Sequence, residues 1–172
     1  MNENIGYIVG GGLKEGFRIR LTVPADQVQE GSFVVCDSGR LRYYGLVTDL
    51  QLGATDPRFA DEKSNRIRPD IQEALLGKTL FTTLNMYPTL LLDLGPDDPS
   101  ALMDWQERVE KGVEQPGPKP VKTVPAHHAD VRQARPEDVD EIFGKRGKGM
   151  FAIGQTIEQG YPVRLDLSLI HI

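Results

Sequence analysis

Phe17-Arg18-Ile19-Arg20-Leu21-Thr22-Val23 decides the fold class: apolar and polar residues alternate with a period of two, the pattern of a strand with one buried face. Pro24 ends the run. Upstream, Ile5-Gly6-Tyr7-Ile8-Val9 is a short β-rich stretch ended by Gly10-Gly11-Gly12. Downstream, Val28-Gln29-Glu30-Gly31 reads as a turn. Ser32-Phe33-Val34-Val35-Cys36 follows as a third strand, closed by Asp37-Ser38-Gly39. Leu41 to Leu52 supplies a fourth, with Leu46, Val47 and Leu50 expected to point inward. Four short strands with a turn signal at each end predict a mainly β chain, a small barrel or sandwich.

The middle of the chain changes character. Asp56 to Arg68 is polar and reads as a loop, and Pro69 to Gly77 as a short helix with Pro near its start and Gly at its end. Lys78 to Asp93 resumes as β. From Gly95 the prolines Pro96, Pro99, Pro116, Pro118, Pro120 and Pro125 mark a connection or insertion over 95–134. Within it, Ser100 to Lys111 is an expected helix with Ser100 as its cap and Met103 and Trp105 as packing anchors. Arg135 to Phe143 reads as a second helix, its acidic first turn opposing the positive end of the dipole. Phe151-Ala152-Ile153-Gly154 and Val163-Arg164-Leu165-Asp166 are the last expected strands.

The expected organisation is therefore barrel strands with a short helix over 1–94, the proline-rich connection over 95–134, and a helix with a strand pair over 135–166. Leu167-Ser168-Leu169-Ile170-His171-Ile172 is what the end sequence of a widely used transposase sequencing adapter encodes. Residues 167–172 are accordingly expected to be a scar.

A chain of 172 residues can bury a real core. Its formal net charge of −5 and scattered basic residues argue against direct binding of nucleic acid. The one dense basic patch, Lys145-Arg146-Gly147-Lys148, reads as a solvated loop among glycines. A single cysteine, Cys36, rules out a disulfide within the chain and fits a cytoplasmic location. No basic leader and no apolar run of spanning length is present, so no membrane contact is expected.

Candidate chemistry fails on spacing. Gly10-Gly11-Gly12-Leu13-Lys14-Glu15 is not G-x-G-x-x-G, because Glu15 takes the sixth place, and a strand rather than a helix follows. Gly144 to Gly149 resembles a nucleotide loop only in composition. Cys36 continues an apolar strand and is expected to be a buried hydrophobe rather than a nucleophile. His127 and His128 lie side by side in the connection, where exposure is expected, and a metal would need more ligands. The acidic residues Asp97, Asp98, Asp104, Glu107, Glu110, Glu137, Asp138, Asp140 and Glu141 form no marked acid–base couple. No catalytic, cofactor-binding or metal-ligating residue is assigned, and the chain by itself is not expected to be an enzyme.

Ile5-Gly6-Tyr7-Ile8-Val9, the Glu30-Gly31 turn into Ser32–Val35, and Tyr44-Gly45-Leu46-Val47-Thr48-Asp49-Leu50 together resemble the HAS barrel, the N-terminal module of HerA-type ATPases of the HerA/FtsK superfamily. Gly154-Gln155-Thr156 through Tyr161–Asp166 is similar to the strand pair that leads into the P-loop in those proteins. The resemblance covers roughly 5–52, 78–94 and 150–166. It implies a mainly β fold, a small closed β-barrel with short helices in a long insertion, serving as the assembly and docking barrel, truncated before the P-loop, of a hexameric ATP-driven DNA translocase acting in DNA end processing and repair. ATP and Mg would belong to the motor domain outside this chain. The implied partners are copies of the same chain in a ring, a NurA-like nuclease, and DNA through the motor. Two other readings are an RNA- or ribosome-associated small barrel of the PRC or OB kind, for which Tyr43–Val47 is a fair strand, and a thiol enzyme using Cys36. The first should show stacking aromatics beside a basic surface, and the acidic balance weighs against it.

Overall fold

The alternating run forms one stave of a closed barrel. A computed structural model describes residues 4–55, 80–143 and 150–166. The barrel strands are β1 (Asn4–Gly12), β2 (Gly16–Leu21), β3 (Phe33–Ser38), β4 (Leu41–Ala54), β5 (Leu80–Asp93) and β7 (Asp130–Gln133). A two-residue strand, β6 (Lys119–Pro120), lies along one end of β5. The order β2-β1-β7-β3-β4-β5 closes through a further pairing of β2 with β5, and every pairing is antiparallel. Closure leaves no stave without neighbours on both sides, which removes the exposed edges of an open sheet. The expected loop at 56–68, helix at 69–77 and basic patch at 145–148 lie outside the described residues.

The inner face is apolar. Ile8, Phe17, Ile19, Val34, Cys36, Tyr43, Val47, Leu84, Met86 and Val131 form one buried cluster. Phe17 and Tyr43 meet edge to face, 5.9 Å between ring centroids, and the Tyr43 hydroxyl is satisfied by Thr123 Oγ1 at 2.9 Å. Each such side chain contributes about 1.5–3 kcal/mol of burial. A second cluster, Phe33, Val35, Tyr44 and Ala134, sits on the outer wall under Ile142. Ile142 belongs to helix α2 (Pro136–Phe143). The unbroken apolar run Phe33–Cys36 follows from this arrangement, since core lies on one face of β3 and a helix on the other.

Several expectations need correction. β1 does not stop at the glycines but runs through Gly12, and the turn is Leu13–Glu15. Leu46 is 40% exposed while Val47 is buried, because adjacent strand residues face opposite sides. Helix α1 (Pro99–Glu110) is capped by Asp98, which accepts from the Ala101 N–H at 2.9 Å, and not by Ser100. With Pro99 at the first helical position, the cap falls at Asp98, two residues before Ser100. Trp105 packs as expected, against Gly95, but Met103 is 71% exposed. Asp130–Gln133, a polar stretch placed by composition in the connection, is the stave between β1 and β3.

β8 (Met150–Gln155) and β9 (Pro162–Asp166) form a separate two-stranded hairpin. No helix among the described residues is long and apolar enough to cross a membrane.

Candidate functional site

Among the described residues, the most elaborate polar arrangement lies on the outer wall, where α2 meets β3, β4 and β7. Arg132 of β7 donates to both Asp138 carboxylate oxygens, at 2.5 and 2.7 Å. Asp138 is the third residue of α2 and also accepts from the Arg135 N–H at 2.7 Å, closing the helix start as a capping box does. Arg42 of β4 bonds Asp37 at 2.7 Å and reaches Glu141 at 3.3 Å. Glu141 accepts from the Tyr44 hydroxyl at 2.7 Å.

Charge and burial oppose one another here. Burial works against the Asp138 carboxylate, yet the Arg132 guanidinium and the Arg135 amide hold its pKa below the ordinary carboxylate value. Burial likewise opposes the charge of Arg42, and its bond to Asp37 more than offsets it. Burial and the neighbouring Glu141 carboxylate raise the Tyr44 hydroxyl, which stays protonated and donating. Cations and carboxylates are paired throughout the group, and none is poised as a base or nucleophile. Its chemistry is that of a clasp holding α2 to the barrel.

The hairpin is fixed to the same wall by its own polar contacts. The Gln159 side-chain amide brackets Phe33: its oxygen accepts from the Phe33 N–H at 3.0 Å and its nitrogen donates to the Phe33 carbonyl at 3.2 Å. The side chain thus supplies a ladder bond to the Phe33 N–H, while the Phe33 carbonyl also accepts from the Ala134 N–H at 2.9 Å. The Tyr161 hydroxyl donates to the Ala134 carbonyl at 3.2 Å, and Arg164 to Asp140 at 2.5 Å. From this anchorage the hairpin presents Phe151, Ile153 and Ile157 outward, 58%, 55% and 96% exposed.

The residues weighed from the sequence are not brought together. Cys36 faces the barrel interior with no exposed surface, and burial first, then Asp37 and Asp130, push its thiol up to about 12. A thiol so placed is not a thiolate at neutral pH. His127 and His128 are exposed on the connection, the His128 ring 5.5 Å from that of Tyr7. Among the described residues no group of His, Cys, Asp and Glu could hold a metal ion. The glycine cluster leads through a turn into β2, without the helix start that a phosphate loop needs. The clasp escaped sequence reading because Arg132 and Asp138 belong to different elements. The one available signal was an acidic helix start three residues after a polar strand ending in Arg-Gln. No protein-family model matches the chain, and no curated protein does.

Proposed function

We propose that this chain is a non-catalytic docking barrel, and that it serves as the N-terminal collar of a HerA-like, ring-forming, ATP-driven DNA translocase. The observation that carries the reading is the outboard hairpin: Phe151, Ile153 and Ile157 are exposed on an element clasped to a closed barrel by polar contacts. Large apolar residues held in water on a fixed support suit burial against another subunit. A rigid barrel beneath them suits a ring built from repeated head-to-tail contacts. The sequence resemblance of Ile5–Val9, the Glu30-Gly31 turn into Ser32–Val35, and Tyr44–Leu50 to the HAS barrel supports the more specific part of the reading, and the nuclease partner follows from that resemblance.

Sedimentation velocity on the chain and on a Phe151→Asp/Ile153→Asp variant tests the proposal, together with ATPase and duplex-DNA binding assays. Expected are concentration-dependent self-association by the parent chain, its loss in the variant, and neither hydrolysis nor tight DNA binding by either. A parent chain that stays monomeric at every concentration overturns the assembly role. ATP turnover or tight DNA binding overturns the placement of that chemistry outside the chain.

A further inference from the structure

We draw no further inference here: the strongest candidate, the uncharged outer edge of β8 on the hairpin, which has no strand partner among the described residues, belongs to the assembly surface already described, and nothing in the structure shows what covers it.

Discussion

In the barrel each stave has two hydrogen-bonded neighbours and an apolar inner face. In the β8–β9 hairpin each strand has one neighbour, and every side chain of β8 except Met150 is exposed. A two-stranded ribbon is marginal in water by itself. Its placement therefore depends on what the barrel lends it: the Phe33 backbone, the Ala134 carbonyl, and α2 with its Asp140. One region stands on non-directional burial, the other on a few directional bonds. The first resists piecemeal change, whereas the second is able to let go without the barrel unfolding.

Substitution at the inner face should show the largest effect. Phe17→Ala removes a ring that is 1% exposed and should cost about 3–5 kcal/mol of global stability. In urea denaturation, barrel and hairpin probes should shift together. A hairpin signal that survives loss of the barrel would break the comparison.

Asp138→Ala sharpens it. Removing the carboxylate leaves the half-buried Arg132 with the Asp37 carboxylate at 3.6 Å in place of a two-point bond, and should cost about 3 kcal/mol. The damage should be local: amide exchange quickens in α2 and the hairpin, and stays slow in β2 and β5. The effect has a pH signature of known sign. Because the folded pKa of Asp138 is lowered, its contribution is complete above the unfolded value of about 3.9. That contribution fades as the pH falls further, through the depressed folded value. The deficit of the variant should therefore be full at neutral pH and close only in stronger acid. Asp93, lowered by its bond to Arg40, acts on the barrel in the same window in both proteins and cancels from the difference.

The smallest expected effect belongs to Gln159→Ala, which removes the bracket on Phe33 and should cost about 1 kcal/mol. Faster exchange of the Phe33 amide and earlier proteolytic cutting between β8 and β9 would register it. An unchanged Phe33 amide would mean that the Ala134 carbonyl and α2 hold the hairpin without the Phe33 bracket.

How much of this was legible depended on whether a residue's partner was near in sequence. β2 shows itself by alternation, and β3 by an apolar run that two buried faces explain. β7 does not, because it has four residues, of which only Val131 faces the core and Arg132 serves the clasp. The acidic start of α2 was visible as a dipole complement, but the burial of Asp138 was not. That burial depends on how β7 is set against β3 and β4, a long-range pairing that local pattern does not encode.

The position of β7 has a consequence for synthesis. β3 is complete at Ser38, yet the stave that joins it to β1 begins only at Asp130. At about 5–20 residues per second, the ribosome takes roughly 5–20 s to deliver the missing piece. Throughout that interval β1 and β3 have been made but their common neighbour has not, so the nascent barrel carries two open edges of the kind that pair with other chains. Closure is thus a late event, of high contact order and correspondingly slow. A message truncated anywhere between β3 and β7 would leave an open sheet, exposed to aggregation and to the chaperones that guard against it.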